Sequence, residues 1–282
     1  MIVDFHAHIF PPEVCNRRAE LAGSDPAFGL LYGNPAARMV TADETVQAMD
    51  QEGVQLAVVF GFPWSDPGLC RMANDYVLEA QQRYPARLRA FYTPAPGGGP
   101  LEARLALDAL HRGMKGIGEV ACYSLAGSRG GGDWSRLRPL AEAALEQKVP
   151  FLLHTNEPVG HLYPGKVEMR LKDLWGFARE LPELALVLAH WGGGLFFYEL
   201  MRSVRQSLGN LYYDTAASPF LYDPRVYRVA VEILGADRIL FGSDYPLISP
   251  SRYFKEMEEA GLSPDERERI LGANALELLG ER

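Results

Sequence analysis

Eight times along its 282 residues the chain passes from a short β-branched or aromatic run into a longer stretch of helical period. The strand-like runs lie near 2–8, 55–61, 88–93, 114–120, 150–155, 184–190, 210–215 and 238–243. Helical patterns lie near 42–52, 69–84, 101–112, 134–148, 168–181, 195–208, 223–235 and 251–261. Strands separated by helices are joined by crossovers and so run parallel, and a parallel sheet needs both of its faces covered. Eight such units predict the α/β class and a single (β/α)8 TIM barrel filling residues 1–282 as one domain. An open doubly wound sheet usually shows a GxGxxG turn after its first strand, and none follows here. With 48% hydrophobic and 23% charged residues, the chain can bury a large core, which excludes disorder as its main theme.

Boundary chemistry agrees with this count. Thr41 and Glu44 have the spacing of a capping box, and Gly53 ends that helix before the second strand. Ser263, Pro264 and Glu266 repeat the signal near the end of the chain and predict extra C-terminal helices beyond the eighth unit. Residues 9–40 form an unusually long first connection, rich in Pro, Gly and Ala. In a barrel the loops that follow strands stand over the active-site face, so this long β1–α1 loop is a candidate lid.

The net charge of −8 repels a phosphate backbone at long range, so no nucleic-acid partner is expected. Cys15, Cys70 and Cys122 are widely spaced and form no CxxC pair, which fits a reducing compartment and excludes a cysteine zinc site. No apolar run approaches the roughly 18 residues that span a bilayer. The first residues run directly into a strand-like segment without a basic leader, so the expectation is a cytoplasmic protein with no membrane partner.

Four of the six histidines, His6, His8, His154 and His190, end predicted strands. Residues i and i+2 of a strand share a face about 6.6 Å apart, so His6 and His8 can converge on one ion while Ala7 faces the helices. Asp4 has the same parity one layer deeper, where it could orient a ligand. His154 closes Phe151-Leu152-Leu153, and Asp244 closes the eighth strand, which neighbours the first in a closed barrel. Three imidazoles and a carboxylate suit a divalent ion, with zinc as the default and manganese, iron, cobalt and nickel in the same donor class. The plainer alternative is satisfied core histidines and a turn aspartate before Tyr245-Pro246. His111, in the last turn of a helix before Gly113, suits the helix dipole and reads as structural.

Val3-Asp4-Phe5-His6-Ala7-His8, Leu152-Leu153-His154, Leu188-Ala189-His190-Trp191-Gly192-Gly193 and Leu240-Phe241-Gly242-Ser243-Asp244-Tyr245-Pro246 resemble the amidohydrolase superfamily. The likeness is to its amidohydrolase-related branch, which includes aminocarboxymuconate semialdehyde decarboxylase and its relatives. The resemblance implies that His6, His8, His154 and Asp244 hold the metal, with His190 beside it as acid–base or carbonyl polariser. Family members often dimerise, so a homodimer is carried as an expectation.

Glu119, near the end of the fourth strand, could bridge two metals, as in the related TatD-type hydrolases, or hydrogen-bond His8 or His154 without touching an ion. One ion is favoured and two are kept open. Lys115 should lie too deep to act as a bridging carboxylated lysine. Gly192-Gly193-Gly194 is expected to open the sixth helix, where free N–H groups could receive a substrate anion, or else to form a tight turn. His161, Tyr163 and Lys166, in the loop after His154, could clamp a substrate carboxylate.

A metal-bound water suggests hydrolysis of an ester, lactone or amide in a small organic acid, with Asp244 taking the water's proton and His190 stabilising the oxyanion. The alternative uses the same ion for non-oxidative decarboxylation of a small unsaturated or aromatic acid. A metal-free binding barrel and a TatD-like binuclear nuclease complete the readings. The expected partner is a small-molecule substrate.

Overall fold

The computed structural model describes residues 1–121 and 134–281. Eight strands run parallel in sequence order: β1 (Val3–His8), β2 (Leu56–Phe60), β3 (Leu88–Tyr92), β4 (Gly116–Val120), β5 (Phe151–Leu153), β6 (Leu186–Leu188), β7 (Leu211–Asp214) and β8 (Ile239–Leu240). The sheet closes through the segment after β8. Phe5 N–H donates to Phe241 O at 2.7 Å, Asp244 N–H to His6 O at 2.9 Å, and His8 N–H to Tyr245 O at 2.7 Å. The expected (β/α)8 barrel is thus the observed one.

The strands are apolar on both sides because both sides are covered. Leu56, Val58, Phe60, Phe91, Leu152, Val187 and Leu240 pack inside the barrel with Val3 and Phe5. Ala57, Val59, Ala90, Ile117, Leu153, Leu188, Tyr213 and Phe241 face the helical layer. Ala275, on the C-terminal helix Asn274–Leu279, joins the inner cluster and covers the barrel's lower end.

Both predicted capping boxes are present, at Thr41–Glu44 and Ser263–Glu266, and Gly53 ends its helix at φ 72°. The first connection differs from the expected loop. It folds into three short helices, Pro12–Asn16, Arg18–Ser24 and Pro26–Tyr32. Phe10, Val14, Leu21 and Phe28 pack there with Phe62, Trp64 and Cys70 into an apolar cluster of their own. Asp25 fixes the third helix by accepting from the N–H groups of Ala27 and Phe28, both at 3.0 Å. Each of these helices has seven residues or fewer, too few for a periodic signature to register. Cys15 and Cys70 are free thiols, and Cys122 lies outside the described residues. No helix among the described residues is long and apolar enough to cross a membrane.

Candidate active site

Two β-bulges shape the open end of the barrel. On β1, Asp4 pairs with Ala57 and Ala7 with Val59, so three steps on one strand match two on the other. Phe5 and His6 therefore both turn inward, opposite Val58. Asp4, held to have the parity of His6, instead faces the helix Ala42–Glu52 and lines a small cavity with Thr45, Ala48 and Met49. Its carboxylate accepts from Ser243 N–H at 2.9 Å, from the Ser243 hydroxyl, and from His6 N–H at 3.1 Å, so it braces the bulge rather than an imidazole. Burial pushes the Asp4 carboxyl up to about 6, against the lowering effect of those donors.

β4 carries the second bulge, where Ile117 pairs with Phe151 and Val120 with Leu153. Gly118 and Glu119 both oppose Leu152, and Glu119 enters the lumen. A Cβ on Gly118 would stand 2.6 Å from Leu152 Cβ, so only glycine fits there. Lys115 is exposed on the outer surface.

The strand-end residues meet in one cluster. His6 Nε2 lies 3.7 Å from Glu119 Oε1 and 3.7 Å from Asp244 Oδ1. His8 Nε2 lies 3.3 Å from Asp244 Oδ1 and 3.9 Å from Glu119 Oε2. His154 Nδ1 donates to Glu119 Oε1 at 2.9 Å, and His190 Nε2 lies 3.3 Å from His154 Nδ1. Three overlapping triads, His6–His8–Glu119, His6–His190–Asp244 and Glu119–His154–His190, each gather their donor atoms within 4.8 Å of one another.

Asp214, the last residue of β7, is the positioning residue that sequence reasoning missed. Its Oδ2 accepts from His6 Nδ1–H at 2.8 Å, while Oδ1 accepts from His190 N–H at 2.8 Å and Ala216 N–H at 3.0 Å. A proton on Nδ1 leaves the His6 lone pair on Nε2, turned towards Glu119 and Asp244. That Nε2 is buried and meets no hydrogen-bond partner among the described residues. A lone pair facing two carboxylate oxygens calls for a cation. Donors sharing one ion at about 2.1 Å would stand roughly 3–4 Å apart, as several of these do. The residues therefore fit a divalent metal.

Electrostatics agree. Burial opposes charge on His6, but Asp214, Glu119 and Asp244 outweigh it and lift the imidazole to about 9. Burial opposes charge on His190 too, yet its bond to Glu119 and the charges of Asp244, Glu119 and Asp214 lift it to about 10. Burial also works to raise Glu119 and Asp244. The imidazoles prevail, holding Glu119 well below the usual carboxylate range through His154 and His6, and Asp244 likewise through His8, His6 and His190. Imidazolium protons balance the carboxylates in the protein alone, and a bound cation is the alternative counter-charge.

The glycine segment is no helix start. His190, Trp191, Gly192, Gly193 and Gly194 all have left-handed φ, from 55° to 89°. The chain thus forms a left-handed turn, not the fan of N–H groups of a right-handed N-terminus. Gly193 presses on the loop after β5, where a Cβ would come 2.3 Å from Asn156 O. Asp244, at φ 58°, is left-handed as well. Histidine and aspartate are among the residues that tolerate this region best.

Among the three residues proposed to clamp a carboxylate, Tyr163 and Lys166 bond within their own loop. His161 is exposed. Lys166 Nζ donates to the Val159 carbonyl at 2.5 Å and the His161 carbonyl at 3.2 Å. The Tyr163 hydroxyl donates to Glu157 Oε2 at 3.1 Å. His111 ends the helix Pro100–His111, exposed and away from the cluster.

Apolar walls flank the imidazoles. The Phe60 ring lies 5.0 Å from that of His6 and 4.7 Å from that of His8. Tyr32, from the third short helix, meets Phe10 and Phe62 edge-to-face, with ring centroids 4.9 Å and 6.0 Å away, two residues beyond β1 and β2. Burial, with Asp244 and Glu119 nearby, keeps its phenol protonated.

The family model described as Amidohydrolase matches residues 3–280. The gamma-resorcylate decarboxylase of Polaromonas sp. is 24% identical over 291 residues, covering 84% of this chain and 86% of that protein. Among solved structures, the 5-carboxyvanillate decarboxylase of Sphingomonas paucimobilis matches with a TM-score of 0.76 at 17% identity, over 100% of this chain and 99% of that one. The dihydroxybenzoic acid decarboxylase of Polaromonas sp., with bound manganese and the inhibitor 2-nitroresorcinol, matches with a TM-score of 0.68 at 20% identity, over 99% of each chain. These structural likenesses support the barrel. The names of the relatives overturn the expected hydrolysis of an ester, lactone or amide, since all three are decarboxylases. The same ring of imidazoles and carboxylates serves either chemistry, so the residues alone did not separate a carbon–carbon bond from an acyl bond.

Proposed function

The chain belongs to the amidohydrolase family, and from that membership we propose that it is a metal-dependent decarboxylase, removing the carboxylate of a small aromatic or unsaturated acid without oxidation. The observation that carries the reading is the His6 Nε2 lone pair, buried, without a hydrogen-bond partner among the described residues, and 3.7 Å from each of two carboxylate oxygens. The decarboxylase names of the relatives choose the chemistry.

His6, His8, His154 and Asp244 would hold one divalent cation, with Glu119 adding the charge of a second carboxylate at its side. The overlap of the three donor triads favours one ion over two. Imidazole and carboxylate donors without a thiolate suit manganese as well as zinc. When bound, the ion supplies electrostatic attraction for the substrate's carboxylate and a neighbouring oxygen.

Non-oxidative decarboxylation requires a proton at the carbon that bears the carboxylate. The carbon–carbon bond then breaks, its electron pair stays with the ring or double bond, and carbon dioxide leaves. His190 is the proton donor in this reading. Its Nδ1–H is fixed by the Ala216 carbonyl at 3.1 Å, which aims Nε2 into the cluster. Asp244 has a donor oxygen within 4.8 Å of a His190 nitrogen and a partly exposed side chain, so it can return a proton from solvent. Phe60, fully buried against the His6 and His8 rings, makes an apolar floor that excludes water from beneath the cluster.

The test is carbon dioxide release by manganese- or zinc-loaded protein across hydroxylated benzoates and unsaturated carboxylic acids. Release that stops on chelation and returns with the ion is expected. Hydrolysis of esters or lactones, with no carbon dioxide from any acid, would overturn the reading.

A further inference from the structure

Beyond the cation cluster, the mouth of the barrel holds a carboxylate that the reaction does not use. Glu157 lies three residues past His154, in the loop that leaves β5. Its Oε2 accepts from the Tyr163 hydroxyl at 3.1 Å, and the Tyr222 phenol also hydrogen-bonds this carboxylate. Its Oε1 is buried and has no hydrogen-bond partner among the described residues. Lys166, the cation of that loop, spends its ammonium on two backbone carbonyls, and no described cation pairs with Glu157.

The surroundings hold this oxygen in place. The Asn156 side chain ties down the far end of the loop, accepting from Val167 N–H at 3.0 Å and donating to Val167 O at 2.8 Å. Gly193, three residues past His190, presses on the Asn156 carbonyl from the other side. The Tyr222 hydroxyl stands 3.7 Å from where a Cβ on Gly194 would lie, so the β6 and β7 connections wall the carboxylate in. Tyr163 feels the charge of Asp244, which places the group within electrostatic reach of the cluster.

A buried acceptor left without a donor costs free energy, and native structures seldom tolerate it without a reason. We propose that Glu157 is a specificity-determining residue, whose free oxygen accepts a hydrogen bond from a hydroxyl or amino group on the substrate, remote from the carboxylate that is lost. The inference rests on the decarboxylase reading and narrows its substrate class to acids carrying such a donor. A site built to accept a hydrogen bond discriminates against an analogue without the donor far more sharply than an apolar pocket discriminates by size.

The experiment measures binding, not turnover. Manganese-loaded protein is titrated with 2-hydroxybenzoates bearing either a hydroxyl or a methoxy group at ring position 4 or 5. The wild type is expected to bind the better hydroxyl isomer roughly tenfold or more tightly than its methoxy partner, as a hydrogen bond to a charged acceptor warrants. Glu157→Gln keeps the size of the side chain and adds a donor, so it should bring the pair close to parity. Glu157→Ala should also lose the preference, and thermal melts confirm that both variants fold. No preference in the wild type, no binding of either acid, or a preference unchanged in Glu157→Gln would overturn the proposal. Preferential binding without carbon dioxide release would sink the decarboxylase reading alone. Carbon dioxide release without the preference would sink this one alone.

Discussion

Asp214 Oδ2 accepts the Nδ1 proton of His6 at 2.8 Å, and this bond decides which nitrogen of His6 faces the centre of the cluster. In Asp214→Asn the amide oxygen can keep the bonds to His190 N–H and Ala216 N–H, which turns the amide NH2 towards His6. His6 must then accept on Nδ1 and carry its proton on Nε2, where a metal cannot bind. Loss of a carboxylate behind a ligating histidine typically costs about 10–100-fold in metal affinity. Competition with a chelator should show that loss with little change in melting temperature. An unchanged affinity would remove Asp214 from this role.

The raised imidazoles set a pH dependence. His6 and His190 rise to about 9 and about 10, so the protons they hold stabilise the metal-free fold fully below about pH 6.5. That stability is lost as pH climbs through 9 to 10. A cation held by His6 must displace the proton on its Nε2, while His190 keeps its own, so the apparent affinity should rise with pH as His6 loses that proton, up to about pH 9. Melting of metal-free protein and chelator competition at pH 6.5, 7.5 and 8.5 test both signs. A flat affinity profile would contradict the shared site.

Asp244 closes the ring at the rim and is proposed to return protons to His190. Asp244→Asn keeps the shape and removes the exchangeable proton, so turnover should fall by roughly 10²–10⁴, the usual contribution of a positioned acid or base. The fold and part of the metal affinity should persist. Carbon dioxide release near the wild-type rate would reassign the proton path.

Gly193 couples two loops of the mouth. It sits at φ 57°, and a Cβ there would come 2.3 Å from Asn156 O, a backbone atom that cannot swing aside. Gly193→Ala should therefore destabilise the protein by about 1–3 kcal/mol and disturb the residues that follow His154. Chemical denaturation gives the stability, and a change smaller than about 0.5 kcal/mol, typical of an ordinary surface substitution, would show that the contact is not tight.

Much of this was legible in the sequence because strand and helix periods differ so plainly, and eight alternations leave few architectures open. His6, His8, His154 and Asp244 stood out as polar residues ending apolar runs. Asp214 ends Leu211-Tyr212-Tyr213 in the same way, and applying the strand-end rule to aspartate as readily as to histidine would have found it. Asp4 was misplaced because strict alternation fails at a bulge, and nothing in Val3-Asp4-Phe5-His6 announces the extra residue. The left-handed turn at 190–194 was hidden because a glycine triplet permits it without requiring it. The three short helices of the first connection are held by Phe28 and its aromatic neighbours, a tertiary cause that no local pattern reveals.

The most direct test of the account is proton NMR of the product formed in D2O from a turned-over acid. A single deuterium at the carbon that carried the carboxylate, with one carbon dioxide released per product, is the predicted result. A product that keeps its carboxylate and has gained solvent oxygen at a cleaved acyl bond would contradict it.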